Sequence, residues 1–143
     1  MPGGAGPVTW TFRVRYSESD QMGLAHHGAY VTWLEAGRIE WLREHGFSYR
    51  QLETEGVLMP VIELALNYRK PLRFDDEVEL TTQAAVLGRS RVAFSSEIRL
   101  RNEDTIRSTG RVVVACVGPD GRPRRLPDTL TALLPAADAT ASA

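Results

Sequence analysis

The feature that most constrains this chain is a change of hydrophobic period near residue 56. Before it, Tyr30, Trp33, Leu34, Gly37 and Trp41 fall at i, i+3, i+4, i+7 and i+11 and make one apolar helical stripe. After it the pattern alternates. Val78, Leu80, Thr82, Ala84 and Val86 interleave with Glu77, Glu79, Thr81, Gln83 and Ala85. Val92, Phe94, Ser96, Ile98 and Leu100 interleave with Arg91, Ala93, Ser95, Glu97 and Arg99. Residues 106–117 continue the theme, 57–68 form a strand ended by Pro71, and 8–16 alternate well enough for a first strand. The connections Leu87-Gly88-Arg89-Ser90 and Arg101-Asn102-Glu103-Asp104 are short and carry turn residues, so the strands they join are antiparallel neighbours. One apolar helix face requires one apolar sheet face. The class that follows is α+β: a curved antiparallel sheet of about five strands wrapped around one long central helix.

Two details refine this picture. Glu35, Arg38, Arg43 and Glu44 are expected toward the polar side of the helix, with Gly46 as its C-terminal stop. Gly37 costs roughly 1 kcal/mol against alanine inside a helix, which reads as a device for close approach to the sheet. Open edge strands invite pairing between subunits, so a homodimer or homotetramer is expected.

Length and composition set outer bounds. A chain of 143 residues is one domain by default, here 8–134, with 1–7 and 135–143 as flexible ends. A net charge of −1 gives no general basic surplus for nucleic acid. Cys116 is the single cysteine, which leaves no intrachain disulfide or cysteine metal cluster and reads as a buried small side chain. No apolar run approaches the ~18 residues that span a bilayer. Residues 1–7 lack the charged and apolar regions of a signal peptide, and the expected compartment is the reducing cytoplasm.

Most of the chemical information lies in Tyr16-Ser-Glu-Ser-Asp20-Gln-Met-Gly23-Leu-Ala-His26-His27-Gly28-Ala-Tyr30, between the first strand and the helix start. A helix N-terminus carries unpaired N–H groups and partial positive charge. Thioester cleavage builds negative charge on a carbonyl oxygen, which such donors stabilise. A carboxylate opposite can attack the carbonyl or take a proton from the attacking water. The same residues also admit plainer roles, with Asp20 as a turn or cap residue and the histidines as capping or solvated groups. No third ligand of suitable spacing joins His26 and His27 for a metal.

The stretch Arg13 to Arg43 resembles acyl-CoA thioesterases of the 4-hydroxybenzoyl-CoA thioesterase type, including the short-chain enzymes associated with the Tol-Pal system. Asp20, Gly23, His27, Tyr30 and Glu35 stand at that family's spacing without a gap. Asn67-Tyr68-Arg69-Lys70-Pro71 followed by Asp75-Asp76 resembles its second strand and turn. The resemblance implies a hot-dog fold, an active site at a subunit interface and an acyl-coenzyme A substrate. It implies Asp20 as nucleophile or general base, and the His27 backbone N–H as the donor that polarises the thioester carbonyl. The His27 ring is a weaker candidate, because the family admits tyrosine there. Gly28 and Tyr30 at the helix start, Met59 for the acyl pocket, and Arg89, Ser90 and Arg91 at a hairpin tip are the expected substrate contacts. Arg69, Lys70, Arg73 and Arg107 are further donors for the phosphates. No metal or redox cofactor is implied, and neither nucleic acid nor membrane insertion is expected.

Two residues depart from the family's pattern. Ala29 replaces a common asparagine, and His26 stands where an aromatic is usual. Two rival readings stay open beside hydrolysis. A hot-dog enoyl-CoA hydratase or dehydratase would pair His27 with Glu35, and a non-catalytic protein would only bind an acyl-CoA.

Overall fold

A computed structural model describes residues 5–135. Strand β1 (Val8–Arg13) leads through a 3-10 turn (Tyr16–Glu18) and a loop to the long helix α1 (His27–Glu44). A short helix α2 (Tyr49–Thr54) follows, then β2 (Val61–Tyr68), β3 (Glu77–Leu87), β4 (Arg91–Leu100), β5 (Ile106–Ala115) and a last turn of helix, α3 (Asp128–Thr131). The five strands make one antiparallel sheet in the order β1-β3-β4-β5-β2. The alternating stretches thus form strands as expected, and both short connections close antiparallel hairpins. The order was not legible, because β2 crosses to the far edge and, among the described residues, pairs with β5 alone.

The helix lies across the inner face of the sheet. Val78, Leu80, Ala84, Val92, Phe94, Ile98, Val112 and Val114 are buried there against Tyr30, Trp33, Leu34 and Trp41. Gly37 permits this approach as expected: a Cβ there would stand 2.6 Å from Leu80 Cδ2 and 2.9 Å from Thr82 Oγ1. Gly110 of β5 makes the reciprocal allowance, since its Cβ would stand 2.7 Å from both Leu34 methyls. Buried helix positions come in adjacent pairs, Ala29/Tyr30, Trp33/Leu34, Gly37/Arg38 and Trp41/Leu42. The curling sheet therefore covers a wider arc than a single stripe. Arg38, expected on the polar side, is 6% exposed for this reason: it lies in the row of Leu34 and Leu42.

Residues expected at the chain ends are partly docked. Ala5 N–H donates to the Leu133 carbonyl, and the Gly6 carbonyl lies 2.9 Å from His45 Nε2. Leu130 and Leu134 join the core, and Val86 N–H donates to the Pro135 carbonyl. The rest of both expected flexible ends, 1–4 and 136–143, lies outside the described residues. Cys116 is fully buried, as its run of valines suggested. No helix among the described residues is long and apolar enough to cross a membrane.

Candidate active site

The loop from β1 to α1 is held at both ends by its own chemistry. Asp20 Oδ1 accepts from the Met22 N–H at 2.8 Å and the Leu24 N–H at 3.1 Å, an Asx turn. Asp20 N–H donates to the Leu24 carbonyl, and Gly23 takes the left-handed φ of 79° that closes the turn. Ala25 N–H donates to the Leu72 carbonyl and Phe74 N–H to the Gly23 carbonyl, which pin the loop to the β2–β3 connection.

Behind the loop sits Glu18, a carboxylate only 6% exposed. It accepts from the Arg15 backbone N–H at 2.7 Å, Arg15 Nη2 at 2.8 Å and Trp33 Nε1 at 3.0 Å. Burial pushes its carboxyl up, but the hydrogen bonds from Arg15 and Trp33 and the Arg15 charge outweigh burial, and the net direction is down. Glu18 therefore stays ionised and ties the turn that carries Asp20 to the second turn of α1.

Helix α1 starts at His27, with His26 as N-cap. His26 Nδ1 accepts the Ala29 N–H at 3.1 Å. The N–H groups of His27 and Gly28 point back along the axis, toward the loop. The His27 ring packs edge-on against Tyr68 of β2 at 5.1 Å, and Tyr30 meets the same tyrosine ring at 4.9 Å. Burial raises both the Tyr30 and Tyr68 phenols, so both remain protonated donors at neutral pH.

These parts enclose one cleft of about 340 Å³, lined by Asp20, Leu24, Ala25, His26, His27, Tyr30, Tyr68, Arg69, Lys70 and Pro71. It brings a carboxylate, a helix N-terminus, a wall of aromatic rings and two cations onto one surface. Thioesters need that set: an oxygen to attack or deprotonate water, donors for the oxyanion, and positive charge for an anionic leaving group.

The expected residues divide by position. Asp20, His27 and Tyr30 line the cleft, and Gly28 stands beside it in the first turn of α1. Arg69 and Lys70, expected only as phosphate donors, line it too. Arg107 is occupied instead, donating to the Pro71 carbonyl at 3.1 Å and lying 3.3 Å from Glu103. Met59 is buried in the core. Arg89, Ser90 and Arg91 stand at the β3–β4 tip, where Ser90 and Arg89 offer carbonyls to Cys116 and Leu126. The 11 residues of β3 separate that tip from the Asp20 end by roughly 35 Å. Tyr68 and Glu18 were missed, whereas capping was one of the roles left open for the histidines and His26 takes it. Tyr68 stood in a motif already noted, but nothing in the sequence showed that β2 would cross to the helix start.

The model of the thioesterase superfamily matches residues 22–107, more than half of the chain. The chain belongs to the thioesterase superfamily. As a superfamily member it is 34% identical over 124 residues to the acyl-CoA thioester hydrolase YbgC of Escherichia coli, across 86% of this chain and 92% of that one. Among solved structures it superposes on the DHNA-CoA thioesterase of Staphylococcus aureus with a TM-score of 0.78 and 31% identity, covering 84% of this chain and 80% of that one. It superposes on the Thermus thermophilus protein TT1821 with a TM-score of 0.80 and 34% identity, covering 90% and 95%. A 1,4-dihydroxy-2-naphthoyl-CoA thioesterase from Synechocystis, at 15% identity and a TM-score of 0.83 over 90% and 96%, shares the fold. The superfamily member therefore has the expected hot-dog architecture, its sheet wrapped around α1.

Proposed function

We propose that the protein hydrolyses acyl-coenzyme A thioesters to a carboxylic acid and free coenzyme A in the cleft between Asp20 and the start of α1. The observation that carries this reading is the shared surface of the Asp20 carboxylate and the His27 helix end. The substrate carbonyl oxygen points at the His27 N–H, whose partial positive charge stabilises the oxyanion. The Asp20 carboxylate attacks the carbonyl carbon or takes a proton from the water that does. In the first route the C–S bond breaks to leave an acyl–Asp20 anhydride, which water hydrolyses to free the carboxylate; in the second the water adduct expels the thiolate directly. Either way one water is consumed and one of its protons neutralises the thiolate. Arg69 and Lys70 supply charge for the coenzyme phosphates. The relatives' names support coenzyme A as the carrier.

The hydratase reading needs His27 and Glu35 together. Glu35 is exposed and lies eight residues further along α1, about 12 Å of rise, so the two do not meet in one chain.

The functional unit in this reading is a homo-oligomer joined through β2. Among the described residues that edge strand pairs with β5 alone, and it leaves Val61, Ile62, Leu64 and Tyr68 exposed. A long edge strand with exposed apolar side chains is a ready template for pairing with a strand of another chain. A second copy is also what would bring the Arg89–Arg91 tip toward substrate. The buried lone thiol suits the cytoplasm.

The test is thiol release from a panel of acyl-CoA substrates differing in acyl size, for wild type and Asp20→Asn. Asparagine keeps Oδ1 for the Met22 and Leu24 N–H groups, so the turn survives while the charge goes. Turnover by wild type and a drop of about 10³-fold in the variant is the expected pattern. Equal turnover by both removes Asp20 from the chemistry, and no thiol from any member moves the binding-only reading ahead.

A further inference from the structure

We infer that His26 is a positioning residue for the oxyanion-binding end of α1, acting through its Nδ1 lone pair, and that residue 28 is glycine so that the imidazole fits there. The inference rests on the oxyanion role proposed above for that helix end.

Four contacts fix His26. Its backbone N–H donates to the Glu18 carbonyl at 3.0 Å. Its backbone carbonyl and its Nδ1 both lie 3.1 Å from the Ala29 N–H. Its Nε2 faces the Ser17 carbonyl at 3.3 Å. A lone pair at Nδ1 and an N–H at Nε2 match these two partners. N-caps are usually serine, threonine, aspartate or asparagine, whose short side chains reach the N2 or N3 N–H. Imidazole offers the same lone pair on a larger frame and needs more space. A Cβ on Gly28 would stand 3.3 Å from both His26 Cε1 and Nδ1, tighter than an ordinary contact, so a side chain there would press on the capping ring.

The consequence for chemistry is geometric. With the Ala29 N–H taken by the cap, the His27 and Gly28 donors are the ones left toward the cleft. The cap also prevents the first turn from unwinding when an anion pulls on those donors. Donors misplaced by about 1 Å lose most of their value to the transition state.

The experiment measures steady-state thiol release for His26→Phe, His26→Asn, Gly28→Ala and the double variant His26→Asn/Gly28→Ala, with Asp20→Asn as control. Amide hydrogen exchange at Ala29 reports the cap independently of activity. Phenylalanine keeps a ring and removes the lone pair; asparagine restores an acceptor. The expected result is a kcat about tenfold lower or more in His26→Phe, with KM within about twofold, and faster exchange at Ala29. His26→Asn recovers kcat to within about threefold of wild type. Gly28→Ala lowers kcat in the histidine background but adds little in the His26→Asn background, which a merely structural glycine would not do. Should His26→Phe not fold, the comparison of Gly28→Ala with and without His26→Asn decides alone. Full kcat in His26→Phe beside an inactive Asp20→Asn overturns the inference and leaves the site standing. Full kcat in Asp20→Asn overturns both.

Discussion

Replacing Glu18 by glutamine tests whether the buried carboxylate holds the loop to the helix. One of its oxygens accepts the Arg15 backbone N–H; the other accepts Arg15 Nη2 and Trp33 Nε1. Glutamine has one acceptor oxygen, so its amide NH₂ must face at least one of these donors. The better rotamer keeps Arg15 Nη2 and Trp33 and sets NH₂ against the Arg15 backbone N–H. A buried donor left without an acceptor costs about 1–3 kcal/mol. Losing the charge on the exposed Arg15 side adds at most about 1 kcal/mol. The expected destabilisation is about 2–3 kcal/mol, or roughly 6–10 °C in Tm for a domain of this size. The pH dependence gives a second readout. The folded carboxyl sits below its ordinary value of 4.5, so its contribution is fully present above that value and lost as pH falls through the folded one. Urea unfolding at neutral pH and at successive steps below pH 4.5 measures both. Wild type and Glu18→Gln should differ most near neutrality and converge in acid. A constant gap across the whole range, or no gap near neutral pH, refutes the assignment of Glu18 as an ionised anchor.

Further outcomes follow from other contacts. Gly37→Ala gains about 1 kcal/mol of helix propensity but forces a methyl to within 2.6 Å of Leu80 and 2.9 Å of Thr82, which is buried and bonded to Ser96. Overpacking costs about 1–3 kcal/mol, so chemical denaturation should show net destabilisation of about 1 kcal/mol; a stabilised variant contradicts the close-approach reading. Leu64→Lys on the exposed β2 edge should yield monomers in light scattering and lower activity together, and an unchanged mass places the interface elsewhere. Arg69→Ala combined with Lys70→Ala should raise KM about tenfold for an acyl-CoA with little change in kcat. The same pair should leave an acyl-pantetheine substrate, which lacks the nucleotide phosphates, unaffected; equal losses on both substrates argue for damage to the cleft itself.

Local patterns in the sequence carried the parts of the fold that local physics decides. The helical stripe, the alternating strands, the turn residues between them and the contact glycine at 37 all work over a few neighbouring positions, and each forms as read. At the site, Asp20 and His27 lie seven residues apart on one loop and helix start, and local geometry alone sets them on the same cleft. What stayed hidden depends on pairing at long range. The crossing of β2 to the β5 edge places Tyr68, Arg69 and Lys70 at the helix start, and no periodicity within 57–68 encodes which edge it joins. Arg38 was hidden for a related reason, since the width of the buried arc is set by the curl of the sheet and not by the stripe. Short α2 and α3 lack the turns needed to display a period.

The hairpin tip raises the same problem at the scale of the assembly. Gly88-Arg89-Ser90-Arg91 reads as a cationic turn at the rim of a sheet, and it is one. Yet the register runs Arg13 opposite Glu77 and Leu87 opposite Arg91, so the tip and the Asp20 loop occupy opposite ends of the same strands. No side chain bridges roughly 35 Å along β3. Arg89 and Arg91 therefore touch a substrate in the Asp20 cleft only if a second copy turns its sheet end for end. Antiparallel pairing of two β2 edges is one such arrangement, because a two-fold axis between them exchanges the ends of the sheets. Arg89→Ala should then raise KM in the oligomer. Mixing it with Asp20→Asn chains should restore sites in which one chain supplies the carboxylate and the other the arginine. Recovery of activity on mixing two poor variants would place both residues in one shared site. Mixed activity no greater than the average of the two returns the tip to a solvated turn.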